Sequence, residues 1–464
     1  MREDSLGLFG DSRRALVGSR LFGAMQRKRT MCLHRLAENR AEARQFGEFL
    51  ASGHVCSQEM VTYAGQQTGK RVAGRHILAL NDTTELHFAT HVASKRGFGA
   101  GGNGVDPGLF LHPLLAVDAD DGGIIGLADC IVINRVAGKV TPRHQRAADA
   151  KESRRWLDCA NAAGDVLREA AMITTVGDRE SDIHALFAER PANVHVLCRA
   201  MHDRVLTDGT KLSLLCGAWT DQACVTIDVP VRGTRPARQA TVGVRFGELT
   251  LRPPAQAKKT RPIGAAAGGA AITLWCVDVR EHQPPAGQQP VHWRLLTTHR
   301  VETIEQAHQI VAWYRRRWTI EQVFRSLKSH CLRIEESQME QAACFTKLAI
   351  VALIAAVRAM QLVMARDGRT DQPITDAVDP ADMPALQSLS TSLEGRTEKL
   401  KNPYDPATLA WFCWIVARLG GWSGYTSRGY KPPGPKTMHH GLLRLDAILT
   451  GWKLANRSAL LGLP

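Results

Sequence analysis

The sequence predicts an α/β protein: a mixed sheet of about five strands with helices against it, a β-rich insertion, and helical segments at both ends. Three observations carry this. Two short apolar runs, His76–Asp82 and Ala171–Asp178, end in an aspartate. Two longer runs, Gly108–Val117 and Gly123–Ile133, flank the polar turn Asp118-Ala-Asp-Asp-Gly122, the pattern of a hairpin of buried strands. A run from Glu302 to His330 holds no Gly or Pro, so one uninterrupted helix is the economical expectation.

Taken in order, residues 1–75 carry thirteen Lys/Arg against seven Asp/Glu and no β pattern. Asp11 or Ser12 is placed to cap a first helix, and a second runs roughly from Ala37 to Ser52. A small basic helical domain that grips DNA is the expectation, with a solvated charged face as its alternative. After the hairpin, Glu152–Arg168 reads as an amphipathic helix, Ser181–Glu189 as another, and Val194–Cys198 as a strand ending at Arg199. Polar residues at the carboxyl ends of adjacent strands are where such sheets place their sites. A strand-final Asp is otherwise a turn former or a helix N-cap.

Residues from about 203 to 290 alternate in segments such as Ala240–Phe246 and Leu249–Arg252, with a strand at Ile272–Val277. Their loops are rich in Arg, Pro, Ala and Gly, Gly264–Ala271 among them, and together they form the β-rich insertion. Val291–Thr297 returns to the main sheet, and Gln338–Arg366 is a long apolar helix covering it. Beyond Asp367 the chain is polar and Pro-rich to about Pro406. A Trp-rich helix, Ala407–Leu419, and a last helix from about Lys436 to Asn456 close it.

Composition narrows the partners. Hydrophobic residues at 44% and charged residues at 22% are ordinary for a globular chain. A net charge of +14 favours a polyanionic partner, nucleic acid first. Eleven cysteines are scattered singly with no C-x-x-C, which favours buried, reduced thiols over disulfides or zinc. Met1–Ser5 opens no signal peptide, and the most apolar run, Leu348–Val357, is too short to span a bilayer. A soluble cytoplasmic protein is expected.

The Glu302–His330 run carries the chemistry. At about 100° per residue, Tyr314, Arg317, Glu321, Arg325 and Lys328 share a stripe roughly 80° wide. Trp313, Ile320, Phe324, Leu327 and Cys331 form the neighbouring, core-facing stripe. One carboxylate therefore stands in a row of cations, and such an excess repels itself unless a polyanion lies against it. Asp82, Asp178 and Glu321 make a three-carboxylate cluster if the fold brings them together. Oxygen ligands of this kind select Mg²⁺ or Mn²⁺, and two such ions about 3.5–4 Å apart drive phosphodiester displacement. No G-x-S-x-G sits in a strand–turn–helix context, which disfavours a serine hydrolase. Gly97–Gly104 is a flexible loop, because a strand follows where a dinucleotide fold needs a helix. His439-His440 reads as a surface pair.

These residues carry a resemblance. Tyr314, Arg317, Glu321 and Lys328 fit the Y-x-x-R-x-x-x-E-x-x-x-x-x-x-K (YREK) signature of bacterial insertion-sequence transposases of the IS-four family. Leu80-Asn-Asp82-Thr-Thr84 resembles that family's first-aspartate motif, and Val176-Gly-Asp178-Arg-Glu-Ser-Asp182 its second. Gly10–Arg14, Gly108–His112, Leu115–Val117, Leu419–Gly421, Pro433-Gly434 and Gly441–Leu445 look like its other recurrent segments, so the resemblance spans nearly the whole chain.

The resemblance implies an RNase H-like catalytic domain over residues 76–366, interrupted by the β-rich insertion at about 203–290. It implies a transposon-end-binding domain over 1–75 and a helical dimerisation region over 367–464. Asp82, Asp178 and Glu321 would be the DDE metal ligands for two Mg²⁺ or Mn²⁺ ions. Tyr314, Arg317, Arg325, Lys328 and Arg199 would hold DNA. Trp293 would stack on a flipped base, a core strand tryptophan being its alternative. Partners would be inverted-repeat end DNA, target DNA and a second copy in the synaptic complex, in the bacterial cytoplasm at the nucleoid. Two segments depart from the pattern: Ala43–Phe49 stands where relatives carry A-x-Y-R-F, and Met438–His440 replaces a Trp-containing segment. The function implied is cut-and-paste transposition through a hairpin intermediate. A nuclease or resolvase of the same fold, or a non-catalytic DNA-binding derivative, is the alternative.

Overall fold

A computed structural model describes residues 5–88, 92–135, 152–229, 237–253, 270–330, 332–424 and 432–460. The loop stretch 264–269 and Cys331 lie outside them. The chain opens with helices α1 (Ser12–Lys28), α2 (Leu33–Leu36), α3 (Arg40–Ala51) and α4 (Ser57–Gly69). Asp11 caps α1 by accepting from Arg13 N at 2.8 Å, and Asn39 caps α3 through Glu42 N at 2.9 Å. Strands β1 (His76–Asn81), β2 (Thr84–His87), β3 (Gly99–Ala100), β4 (Pro107–Asp118) and β5 (Ile124–Ile133) follow. Then come α5 (Arg155–Val166), β6 (Met172–Gly177), α6 (His184–Glu189), β7 (Val194–Arg199) and α7 (Leu212–Ala218). Strands β8 (Ala223–Val229), β9 (Arg238–Leu251), β10 (Ile272–Glu281) and β11 (His292–Thr297) lead into α8 (Ile304–Arg316) and α9 (Trp318–Arg325). Helices α10 (Ala342–Ala365), α11 (Met383–Leu393), α12 (Leu409–Leu419) and α13 (Pro435–Leu460) complete the chain. This is the mixed α/β, RNase H-like class that the sequence predicts.

The chain divides into two compact units. One comprises Gly74–Asp82 and Lys139–Ile320. Its sheet runs β1-β6-β7-β11-β10-β9-β8. β1, β6 and β7 are parallel, and each later pairing is antiparallel. The parallel strands read as continuous apolar runs because they are buried on both faces, with α5 packed against β1, β6 and β7 and α8 against β7, β9 and β10. The insertion does not stand apart: β8, β9 and β10 extend the same sheet beyond β11. The two alternating segments, all but Arg252, fall on one strand, β9, which runs 14 residues straight through Gly247.

The other unit comprises Met1–Ala73, Thr83–Gly138 and Glu321–Pro464. The expected hairpin is β4–β5, with β2 and β3 paired to β4. Helix α10 is its central rod, packed against β5, α1, α3, α4, α12 and α13. It is longer than the ten-residue run Leu348–Val357 at its centre: its best 18-residue window has a mean hydropathy of 2.2 and is 78% buried. Small residues at 349, 352, 355 and 356 let its neighbours approach closely, the behaviour of a core helix. The close crossing of α12 and α13 depends on Gly441, where a Cβ would lie 1.7 Å from the Val416 carbonyl oxygen. That is the physical content of the glycine in Gly441–Leu445.

The Glu302–His330 run is helical but not one helix. Thr303 opens α8 with a capping box to Gln306. The hydrogen-bond ladder then shifts at Arg317 (φ −49°, ψ −33°), α9 begins at Trp318, and Ser326–His330 form a π turn. Nothing in a Gly- and Pro-free sequence announces such shifts: the ladder tightens at Arg317, whose N donates to Tyr314 O at 3.0 Å, and widens in the π turn, in neither case at a breaking residue. The core stripe behaves as expected at Ile320, Phe324 and Leu327, which are buried. Tyr314, placed on the charged stripe, is buried too, at 8% exposure.

Candidate active site

The candidate site lies at one end of the Gly74–Asp82/Lys139–Ile320 sheet. In the parallel β1–β6 ladder, Leu80 pairs with Val176, and two residues beyond that pair on each strand come Asp82 and Asp178. The register that buries both apolar runs thus brings the two aspartates to equal height on neighbouring strands, which lie about 4.8 Å apart. β7 ends alongside at Arg199. β11 runs antiparallel to β7, so its first residues, His292 and Trp293, sit at the same end. Arg199 Nη2 donates to His292 O at 2.6 Å.

Helix α8 brings its last turn to this end. Arg317 Nη1 donates to Asp82 Oδ2 at 2.8 Å, and the Tyr314 ring lies 6.1 Å from that of Trp293, tilted by 60°. Burial raises the Tyr314 hydroxyl above its ordinary range, against the opposing pull of Arg317 and Arg199. It therefore stays a neutral hydroxyl at physiological pH. Burial is also the largest cause that lowers Arg199, with Arg179 and Arg317 adding like-charge repulsion. Two carboxylates facing three guanidiniums leave net positive charge at the end of the sheet. A phosphodiester backbone would complement it.

Asp178 has a second role, the N-cap that strand-final aspartates commonly take: Oδ1 accepts from Glu180 N at 2.8 Å and opens the short 3₁₀ turn Arg179–Ser181. Ser181 Oγ folds back to donate to Asp178 O at 2.6 Å. That return leaves no room beside the strand, since a Cβ on Gly177 would lie 2.3 Å from Ser181 Oγ. Glycine before the aspartate is a steric requirement.

Asp182, the last residue of the second-aspartate motif, holds this corner, a role its place in the motif does not announce. Asp182 is 2% exposed; its Oδ2 accepts from Met201 N at 2.8 Å and His202 N at 3.2 Å. Its Oδ1 takes Arg204 Nε at 2.7 Å, while Arg204 Nη2 donates to Asp182 O at 2.6 Å. The turn after β6 is thereby locked to the segment after β7. The signal available was an aspartate four residues after another, at a position too close to the strand to be solvated.

Glu321, Arg325 and Lys328 belong to the other unit. Glu321 is half-buried on α9, four residues beyond Arg317, and Arg325 is exposed. Lys328 sits in the π turn and pairs with Glu335 at 3.2 Å; Glu335 also accepts from His87 N. The sequence stripe counted no acid after Glu321 before Arg333, and Glu335 is the acid that answers Lys328. His439 is half-buried rather than a surface group, and burial brings it down to about 4. Of the ten cysteines within the described residues, all free thiols, six are buried as the sequence predicts, while Cys32, Cys56 and Cys224 are exposed.

The donor set at the sheet end is oxygen only, which fits a hard divalent cation and not zinc. Residues 174–358, which include Asp178, α8 and α9, match the family model described as "Transposase DDE domain". A domain of that class implies a divalent metal and a DNA substrate, and the match supports a DDE transposase.

Proposed function

We propose that the chain is a cut-and-paste transposase of the IS-four type, acting on the inverted-repeat ends of an insertion sequence in the bacterial cytoplasm, at the nucleoid. The observation that carries it is the pair Asp82 and Asp178 at matched ends of adjacent parallel strands, with the Arg317 guanidinium already on Asp82. Glu321 is the third carboxylate, and its support is its place one helical turn beyond Arg317. Asp82, Asp178 and Glu321 would hold two Mg²⁺ or Mn²⁺ ions. When bound, the ions lower the pKa of an attacking water or 3′-hydroxyl and neutralise charge on the phosphate.

The remaining work falls to the chain. Arg317, Arg199, Arg325 and Lys328 hold backbone phosphates on either side of the scissile bond, bidentate where an arginine is used. Tyr314, kept protonated by burial, donates a hydrogen bond to a phosphate oxygen. Trp293, half-buried against Tyr314, offers one face to a base flipped out near the cleaved end, as a hairpin intermediate requires. Residues 1–75 bind the ends and 367–464 join two copies in the synaptic complex.

The test is a labelled duplex carrying the element's end, assayed for binding, cleavage and joining. Glu321→Gln and Asp178→Asn are expected to remove cleavage while end binding stays within about threefold, since neither carboxylate contributes favourably to phosphate affinity. Cleavage surviving in either variant would remove these residues from the site. Cleavage by the unaltered chain without joined product would move the function to a nuclease or resolvase.

A further inference from the structure

We infer a second metal site, independent of the carboxylates above, on the outer strands of the sheet: Asp221, Cys224 and His282 form a three-ligand clasp for a zinc-like divalent cation. One ligand atom of each lies within 4.8 Å of the other two, and all three residues are exposed, so an ion has a route in.

The geometry follows from register. Cys224 on β8 pairs with Gly243 on β9, and Gly243 pairs with Arg280 on β10, so the three occupy one cross-strand row. Asp221 precedes β8 in a turn pinned by Gln222 N to Val244 O at 2.8 Å. His282 follows β10 and is pinned by its own N–H to Thr241 O at 3.1 Å. Both side chains lean over the central strand, where His282 Nε2 and Asp221 Oδ2 stand 2.8 Å apart. They can do so only because that strand carries glycine. A Cβ at 243 would lie 2.4 Å from Asp221 Oδ2 and 2.5 Å from His282 Nε2. The open place on the sheet face is therefore filled from two sides by ligand-bearing groups, with Cys224 beside it.

A supporting contact orients the carboxylate, as in built metal sites. Arg245, only 8% exposed and held through Nη1 by the Cys216 and Trp219 carbonyls, brings Nε to an ion-pair distance of 3.3 Å from Asp221 Oδ1 and 3.4 Å from Asp278 Oδ2, without a hydrogen bond at Nε. Its charge faces Oδ1, and Oδ2 is the oxygen turned toward His282. The donors are one thiolate sulfur, one imidazole nitrogen and one carboxylate oxygen. That set suits Zn²⁺ or Co²⁺ at about 2.0–2.3 Å and excludes Mg²⁺, which demands oxygen. Replacing the proton between His282 and Asp221 by an ion needs their separation to open to roughly 3.3 Å, the edge of a tetrahedron with 2.0 Å bonds. Water would complete the tetrahedron. The clasp would tie the turn before β8 to the end of β10 across β9.

Co²⁺ titration of the full chain in an Asp82→Asn/Asp178→Asn background tests this with the catalytic carboxylates removed. The expected result is a thiolate-to-cobalt charge-transfer band in the near ultraviolet, with visible d–d bands of tetrahedral intensity. Cys224→Ser should lose the charge-transfer band, and His282→Ala should weaken cobalt and zinc affinity at least about tenfold. Gly243→Ala, which touches no ligand covalently, should weaken both as well. A charge-transfer band that persists in Cys224→Ser, or zinc affinity equal in the parent and in His282→Ala, overturns the site. Circular dichroism on each variant separates loss of the site from loss of the fold.

Discussion

At the scale of single residues, the candidate site is held less by its aspartates than by what surrounds them. Asp182 and Arg204 form a buried pair, and the aspartate's second oxygen takes up two backbone N–H groups. Removing one partner of such a pair strands the other. Asp182→Ala is therefore expected to cost about 3–5 kcal/mol of stability, read from urea unfolding. The exposed pair Arg168–Glu169 should yield under about 1 kcal/mol to the same treatment. A loss at Asp182 as small as that at Glu169 would mean that water reaches the pair. The sequence made Asp82 and Asp178 visible because each ends an apolar run, and parallel neighbours end together. It did not show Gly177 or Asp182 as site residues, because their roles come from a side chain folding back and from a loop 20 residues away.

At the scale of elements, α8 joins the site to the sheet's interior. Its Trp313 ring packs at 4.6 Å on His76 from β1 and 5.1 Å on His299 from the turn after β11. His299 stacks on His195 of β7 at 4.0 Å. Thr174 on β6 bridges His76 and His299, at 2.9 and 2.8 Å. Burial first, then His195 and His76, bring His299 down to about 3. Burial and the charge of Arg190 lower His195. The folded state thus binds fewer protons than the unfolded state between about pH 6.5 and 3. The stabilisation is complete above pH 6.5 and is lost as pH falls through that window. From pH 7 to pH 5 the loss is expected to be about 1–2 kcal/mol for His299. Urea midpoints at the two pH values measure it, and His299→Gln should flatten the dependence; an unchanged slope would place the acid sensitivity elsewhere. The sequence pattern gave β1, β4, β5, β6 and β7 nearly to the residue, since period and apolar runs are local. The ladder shift at Arg317 and the joining of two segments into β9 were hidden, because both depend on what each backbone stretch packs against.

At the scale of the whole molecule, the net charge of +14 is spread over two units. Many of the cations are already paired: Arg20 with Glu42, Arg155 with Glu180, Arg238 with Glu281. Formal charge therefore overstates what a duplex can use, and the salt dependence of binding is the better measure. Each phosphate neutralised releases counterions and adds about 0.9 to the slope of log affinity against log salt. A chain that lays Arg199, Arg317, Arg325, Lys328 and the basic residues of 1–75 on DNA should contact about six to ten phosphates, a slope of about −5 to −9. Lys328→Ala should reduce that slope by about one on any sequence. The cost of drawing Lys328 from Glu335 is small, since a half-exposed pair is worth at most about 1 kcal/mol. Glu335→Gln should accordingly tighten binding without changing the slope, because it frees the lysine and adds no phosphate contact. A slope near zero in the unaltered chain would sever the positive charge from DNA altogether. A slope unmoved by Lys328→Ala would leave that lysine as the partner of Glu335 alone.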